Sequence, residues 1–91
     1  MAGLGLMEYE YDFCVALHEK LKEKIRGKIF TIIENDILRV EVYIRNENWA
    51  IAWGDISEKI LTGLSTETVS RVVARQYRNY IVKQSCNGYL K

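Results

Sequence analysis

The first clear pattern along the chain is helical. Between about Glu8 and Arg26, apolar residues recur at the spacing of one helical face, namely Cys14, Leu17, Leu21 and Ile25. Charged residues fill most of the other positions, and Gly27 follows a cation-rich last turn, where a C-terminal cap belongs. The pattern therefore predicts a helix over this stretch that ends at Gly27.

Three strand patterns follow the predicted helix. Residues Lys28–Ile33 are mostly β-branched or aromatic, and Ile37–Arg45 alternates with period two. In that second stretch the apolar residues on one face are Leu38, Val40, Val42 and Ile44. Trp49–Trp53 places three large residues on one face and two alanines on the other. The polar connections Glu34–Asp36 and Asn46–Asn48 are typical of hairpin turns, so we predict a three-stranded antiparallel meander.

Two helices are predicted after the sheet. Asp55 has N-cap chemistry with Glu58 three residues on, the spacing of a capping box, and a short helix then runs to about Thr62. Ser65 is expected to cap a last helix over about residues 66–85. The apolar face of that helix is Val69, Val72, Val73, Tyr77 and Tyr80, with Ile81 at its edge. The element order α-β-β-β-α-α predicts an α+β domain with helices covering one face of the sheet.

Length and composition limit the class of protein. The chain has 91 residues, of which 48% are hydrophobic, and a formal net charge of +1. We place one globular domain at residues 8–85, between a flexible leader at 1–7 and a tail at 86–91. The balanced charge gives no general attraction to nucleic acid or an anionic membrane, and no apolar run is long enough to span a bilayer. Two distant cysteines, Cys14 and Cys86, predict reduced thiols in a cytoplasmic protein.

Candidate catalytic chemistry is sparse. His18 is the single histidine and stands four residues after Cys14, so the two form half of a metal site or a thiol–imidazole pair, with Cys86 as the obvious third ligand. A buried cysteine beside a histidine at the edge of the apolar face is the simpler interpretation. The chain has neither a paired-carboxylate motif nor a glycine-rich phosphate loop. We therefore expect no enzymatic activity, no cofactor and no bound metal.

Arginines and an exposed tyrosine are the candidate binding residues. One group forms a stripe on the last helix and consists of Arg71, Arg75 and Arg78. Such a stripe can hold phosphates or an acidic protein surface, and it can also be a solvated helix face. The other group lies on the polar strand face and consists of Arg39, Tyr43 and Arg45. An exposed tyrosine flanked by arginines is typical of protein interfaces.

Two nucleic-acid interpretations are disfavoured by the residues themselves. The element order invites comparison with double-stranded-RNA-binding domains, but the last helix begins with Ser65–Thr68, which lacks the basic cluster that those domains need. Trp49 and Trp53, together with Tyr43, suit a platform for stacking bases. However, the tryptophans alternate with alanines, which places them in the core.

A resemblance to one class of proteins comes from the C-terminal half. The stretch Gly63–Val69, followed by Tyr77–Ile81, resembles the C-terminal helix of small proteins from temperate phages and prophages of Gram-positive bacteria, and the Lys-rich helix that ends in Arg26–Phe30 resembles them as well. The similarity covers about residues 20–85. Several small phage proteins of this size inhibit CRISPR–Cas nucleases or other host defences, so the resemblance implies a non-enzymatic inhibitor that binds a host protein. Balanced charge argues against mimicry of DNA and favours a protein contact.

Three functions therefore stand as hypotheses. The first is a phage-type protein that binds and inhibits a host defence complex, such as a CRISPR–Cas nuclease. The second is a small nucleic-acid-binding protein that uses the arginine stripe, and the third is a self-associating protein that sequesters a ligand. We also predict a homodimer or larger assembly, because a chain this short buries a limited share of its apolar surface. The expected seam is a strand edge or the open sheet face.

Overall fold

The computed structural model describes residues 7–45 and 47–90, with backbone only from residue 85 onward. The elements are α1 (Glu8–Lys24), β1 (Lys28–Glu34), β2 (Ile37–Ile44), β3 (Glu47–Trp53), α2 (Ile56–Leu61) and α3 (Thr66–Leu90). The three strands form one antiparallel sheet in the order β1-β2-β3. The predicted α+β class and the order α-β-β-β-α-α are thus confirmed. Of the predicted leader at residues 1–7, residues 1–6 lie outside the described residues, whereas Met7 is the N-cap of α1 and donates its N–H to Glu10.

The first helix ends earlier than its charge pattern indicates. Helix α1 stops at Lys24, and Ile25 is already extended, with φ −132° and ψ 133°. The Ile25 side chain is nevertheless buried in the core, as its place on the apolar face predicts. Gly27, with φ +122°, then turns the chain into β1 instead of capping the helix directly. The helix therefore ends before the predicted cap, while the predicted core position of Ile25 is kept.

Tight turns set the register of the sheet. Asn35 and Asp36 join β1 to β2, and their φ angles of 54° and 63° are those of a type I′ hairpin turn. A turn also joins β2 to β3, as predicted, but it is shorter than the predicted Asn46–Asn48, because β3 already begins at Glu47, which pairs with Ile44. Asn46 itself lies outside the described residues. Both hairpins therefore have short connections, and the pairing continues without interruption along each strand.

The N-terminus of α2 is capped by a residue other than the predicted one. Asp55 occupies the N-cap position in a left-handed conformation, and its side chain makes no cap hydrogen bond. Instead, the Asp36 carboxylate accepts a hydrogen bond from the Ser57 backbone N–H at 2.8 Å, and the Asp36 carbonyl accepts one from the Ile56 N–H at 3.2 Å. The β1–β2 turn thus caps α2 through space, and fully buried Ile56 completes the attachment.

Acid titration is expected to reveal this cap. The Ser57 backbone N–H, and then the Ser57 side chain and Lys59, hold the pKa of Asp36 below its ordinary value. A lowered native pKa adds stability above the pKa of the unfolded chain, and that stability is lost as pH falls through the native pKa. In urea unfolding from neutral pH to below about pH 4, we expect Asp36→Asn to remove part of the acid-dependent loss of stability.

Asp55→Asn is the matched control for that titration. The Asp55 side chain makes no cap hydrogen bond, so its amide variant should keep the full acid-dependent loss of the parent. Equal pH profiles for the two variants would contradict the assignment of the cap to Asp36.

The last helix begins as predicted and continues past its expected end. The Ser65 hydroxyl accepts a hydrogen bond from the Thr68 backbone N–H at 3.1 Å, which confirms Ser65 as the cap. The backbone remains helical to Leu90, beyond the predicted end at about Ser85 and through the stretch interpreted as a tail. A single glycine lowers helix stability by only about 1 kcal/mol relative to alanine, and the chain has no proline to stop the helix.

The core lies between one face of the sheet and the helices. Its largest fully buried side chains are Leu17, Leu21, Leu38, Ile56, Val40, Val42 and Val73. Trp49, Ile51 and Trp53 pack against this cluster, as their alternation predicts, and the Trp49 ring lies 5.4 Å from that of Tyr77 on α3. Buried Glu10 accepts hydrogen bonds from the Met7 N–H at 2.9 Å and from the Ser57 hydroxyl. Among the described residues, no helix combines the length and apolar character needed to cross a membrane.

Candidate functional site

All three helices leave the second face of the sheet uncovered. Strand register places the following side chains on this open face: Lys28, Phe30, Ile32 and Glu34 from β1; Ile37, Arg39, Glu41 and Tyr43 from β2; Asn48, Ala50 and Ala52 from β3. Four large apolar members are exposed, at 49% for Phe30, 49% for Ile32, 41% for Ile37 and 39% for Tyr43. The open face is therefore an apolar surface with charged residues interspersed, held on a rigid sheet.

An aromatic pair lies on the open face. The rings of Phe30 and Tyr43 meet edge to face, with centroids 5.5 Å apart and an interplanar angle of 88°. The Tyr43 hydroxyl donates a hydrogen bond to Glu41 Oε1 at 3.0 Å. This bond, and the charge of Glu41, raise the pKa of Tyr43, so the phenol stays neutral at physiological pH. The pair thus offers a preoriented, uncharged aromatic contact of the kind that anchors protein interfaces.

Positive charge is concentrated at one end of the aromatic pair. Lys28 and Arg45 border a shallow depression together with Phe30 and Tyr43. Arg39 lies farther along β2, and its Nη1 is 4.0 Å from Glu41 Oε2. Glu41 thus forms an ion pair with Arg39 and accepts the hydrogen bond from Tyr43. The predicted group Arg39, Tyr43 and Arg45 therefore lies around the same aromatic pair, and Lys28 joins it.

The arginines of α3 lie elsewhere and are not equivalent. Helix α3 covers the opposite face of the sheet, where Tyr77 contacts Trp49. All three arginines are exposed, and Arg71 alone among them donates a hydrogen bond that the structure describes, through Nε to Glu67 Oε2 at 2.9 Å. One arginine of the predicted stripe, Arg71, is therefore hydrogen-bonded within the domain. The stripe as a whole lies on α3 and does not join the open face.

The Glu67 carboxylate contacts three positively charged side chains, two from α1 and one from α3. Lys20 Nζ lies 3.3 Å from Glu67 Oε1, and Lys24 Nζ lies 3.7 Å from Glu67 Oε2, beside the Arg71 contact. Hydrogen bonds from Lys20 and Arg71, with the charge of Lys24, lower the pKa of Glu67. Arg71 remains 74% exposed in this surface cluster, and exposed ion pairs of this kind contribute little stability.

Sequence reasoning missed Phe30 and Ile32 as exposed residues. The run from Ile29 to Ile33 is apolar at nearly every position, so alternation alone does not tell which side chains face the helices. Pairing with β2 supplies the answer, because Phe30 is opposite Glu41 and therefore shares its face. Pairing β1 with β2 across the two-residue turn would have identified Phe30 and Ile32 as exposed, because it places them opposite polar residues of β2.

A groove runs between α1 and the outer edge of β1. It has a volume of about 430 Å³, and its lining includes Tyr11, Cys14, Val15, His18, Phe30 and Ile32. Cys14 is buried, and burial, followed by the charge of Glu10, raises the pKa of its thiol. Within the described residues no three His, Cys, Asp or Glu side chains cluster as metal ligands, and the Cys86 side chain lies outside them. This edge groove is thus apolar, with a protonated thiol in its wall.

Comparison of the chain with protein-family models, with curated proteins and with solved structures finds no match. The functional conclusion therefore depends on the surfaces described above.

Proposed function

We propose that this chain is a non-enzymatic protein-binding module that acts through its open face. The observation that carries the proposal is the exposed Phe30–Tyr43 pair, continued by Ile32, on a rigid sheet face that no helix covers. A contiguous exposed apolar patch rimmed by charge is typical of an interaction site on a domain of this size. Tyrosine, phenylalanine and arginine are also the residue types enriched in such sites.

The partner that fits this face presents an apolar surface flanked by acidic side chains. Lys28 and Arg45 stand beside the aromatic pair, and Glu41 is already engaged by Arg39 and Tyr43. The accessible charge next to the aromatic pair is therefore positive, and the exposed Glu34 carboxylate lies at the other end of β1. Charge complementarity of this kind contributes mainly to specificity and to the association rate, while the buried aromatics contribute most of the affinity.

The finer form of the proposal is inhibition of a host defence complex in the host cytoplasm by a phage-encoded protein. Its support is the resemblance of Gly63–Val69 and Tyr77–Ile81 to small phage proteins, together with the balanced charge, which favours a protein contact over DNA mimicry. A CRISPR–Cas nuclease complex is the corresponding candidate target. The apolar character of the open face supports inhibition by binding to the target protein rather than by catalysis on a substrate.

The test compares capture of bacterial proteins by three forms of the chain. Quantitative mass spectrometry should find a protein retained by the parent and by Arg75→Ala/Arg78→Ala, but lost with Phe30→Ser/Tyr43→Ala. With that protein purified, we expect the open-face variant to bind at least about tenfold more weakly, because truncating an interface anchor costs about 2 kcal/mol or more. Thermal unfolding should show both variants folded, since all four replaced side chains are exposed.

Two results would contradict the proposal. One is a partner that binds the open-face variant as tightly as the parent. The other is loss of binding in the α3 arginine variant alone, combined with tight association with RNA or DNA that weakens steeply as salt is raised, which would assign the function to phosphate contacts instead.

A further inference from the structure

The outer edge of β1 borders the edge groove. Within residues 7–45 and 47–90, strand β1 is at one end of the sheet and pairs with β2 alone, so no described residue pairs with its outer edge. On its other side, Tyr11 and Val15 of α1 are exposed across the groove from β1. Unpaired strand edges invite pairing with another strand, and proteins usually protect them with charges or bulges. The register of β1 with β2 has no bulge, and the only charges on β1 are at its two ends, Lys28 and Glu34.

The register identifies which backbone groups point out of this edge. Glu34 and Ile37 flank the two-residue turn and therefore exchange hydrogen bonds with each other. Hydrogen-bonded pairs alternate along an antiparallel ladder, so the residues of β1 that bond to β2 are Lys28, Phe30, Ile32 and Glu34. The N–H and C=O groups of the intervening residues, Ile29, Thr31 and Ile33, are consequently directed towards the free edge.

Two copies of β1 have complementary sequences when they lie antiparallel with their central residues, Thr31, opposite each other. With Thr31 opposite the partner's Thr31, Ile29 lies opposite the partner's Ile33. The backbone groups of both residues point out of the edge, so this is a hydrogen-bonded pair. In the same register Lys28 lies opposite the partner's Glu34, and this pair forms twice by symmetry. A shift of the centre by one residue in either direction puts Lys28 or Glu34 opposite an apolar residue. One register therefore satisfies the backbone and the charges together.

The side chain of Thr31 gives an independent indication of the same centre. Its hydroxyl oxygen is buried and has no hydrogen-bond partner, the single such side-chain atom among the described residues. Buried hydroxyls are normally hydrogen-bonded, because an unpaired one costs roughly as much as a lost hydrogen bond. Opposed threonines on one face of an antiparallel pair hydrogen-bond to each other. Because the oxygen is enclosed by atoms of its own chain, rotation of the Thr31 side chain about χ1 is needed to bring the hydroxyl to the partner's Thr31, where the two-fold axis passes.

We propose that two copies of this chain pair through their β1 strands, antiparallel and centred on Thr31, to form one continuous six-stranded sheet from two three-stranded ones. The two-fold axis brings the partner's α1 alongside α1, so that Tyr11 and Val15 are covered. It also places Phe30 opposite the partner's Ile32, which joins the two open faces into one apolar surface. The proposal does not rest on the proposed function, because pairing is measured without any other protein.

Charge reversal tests the register. The parent should have a mass near twice 10.6 kDa by light scattering at micromolar concentrations. Lys28→Glu and Glu34→Lys should each weaken dimerisation at least about tenfold, because each puts like charges opposite one another at two symmetric positions. An equimolar mixture of the two variants should dimerise like the parent, since every cross-strand pair is then between opposite charges. Lys28 and Glu34 are at opposite ends of the same strand, so a contact within one chain cannot produce this recovery.

Proline substitution tests the edge. Thr31→Pro removes an N–H that points out of the β1 edge, and it should leave a folded monomer. Ala50→Pro is the matched control, because the same alternation directs the Ala50 N–H out of the β3 edge, and this variant should remain a dimer. Circular dichroism should show both folded.

Several outcomes would overturn the proposal. A parent mass that stays near 10.6 kDa at all concentrations excludes the dimer. If the Thr31→Pro variant still dimerises, the dimer interface lies away from the β1 edge. The same holds if Ala50→Pro abolishes the dimer and Thr31→Pro does not. Failure of the mixed charge variants to recover rejects the register centred on Thr31.

Discussion

A Gly27→Ala variant is expected to lose about 2–4 kcal/mol of unfolding free energy, from left-handed backbone strain together with overpacking. Gly27 has φ +122°, and an added Cβ would lie 2.7 Å from Ile44 Cγ1 and 2.9 Å from the carbonyl oxygen of Tyr43. The isoleucine can rotate away, but the carbonyl belongs to β2 and moves only with the strand. Urea unfolding followed by circular dichroism measures the loss directly.

Gly63→Ala separates the two contributions. Gly63 has a similar φ of +113°, but an added Cβ would meet no atom within 4 Å. We therefore expect only the backbone strain, about 1–2 kcal/mol. If both variants lose the same free energy, the close approach of Gly27 to the β2 strand has no energetic consequence, and strain alone explains the requirement for glycine.

Replacing Leu17 with alanine is expected to destabilise the domain by about 2–5 kcal/mol. The side chain is fully buried in the middle of α1, where the helix faces the sheet, and its removal leaves a cavity bounded by the core. A domain of this size has a total stability of roughly 5–15 kcal/mol, so the variant should unfold at a much lower urea concentration.

Leu61→Ala is the control for the loss of leucine from a helix. Leu61 is 67% exposed at the end of α2, whereas Leu17 is 0% exposed. Its replacement should change the unfolding free energy by less than about 0.5 kcal/mol. A large loss at Leu61 would mean that this residue is buried in solution, for example against another copy of the chain.

Periodicity was sufficient to predict the element order, because the helices and β2 each have one apolar face. Alternation along β2 identified Leu38, Val40 and Val42 as core residues, and the same alternation exposed Tyr43. Boundaries were less predictable where tertiary contacts decide them. Helix α1 ends before Ile25, which is extended and still buried, and no local signal in the sequence distinguishes Ile25 from a residue of the last helical turn.

The capping of α2 shows the limit of reasoning from neighbouring residues. Asp55 has the right residue type in the right position, yet the bond comes from Asp36, which lies in another turn. Lys20 and Lys24 likewise reach Glu67 only when α1 packs beside α3, whereas the Arg71–Glu67 pair lies within α3 at the i,i+4 spacing of the sequence. For the candidate site, the sequence supplied Arg39, Tyr43 and Arg45, but only strand pairing supplied Phe30.

The two-residue turn at Asn35 and Asp36 makes the length of this hairpin as constrained as its composition. A single inserted residue shifts β2 by one position against β1, and a one-residue shift exchanges the two faces of a strand. Val40 and Val42 would then face solvent, while charged Arg39 would enter the core. The same insertion would carry the Asp36 carboxylate away from α2. Homologous chains with this fold should therefore vary in length outside this hairpin, and an epitope tag placed within the turn would disrupt both the sheet and the helix that it caps.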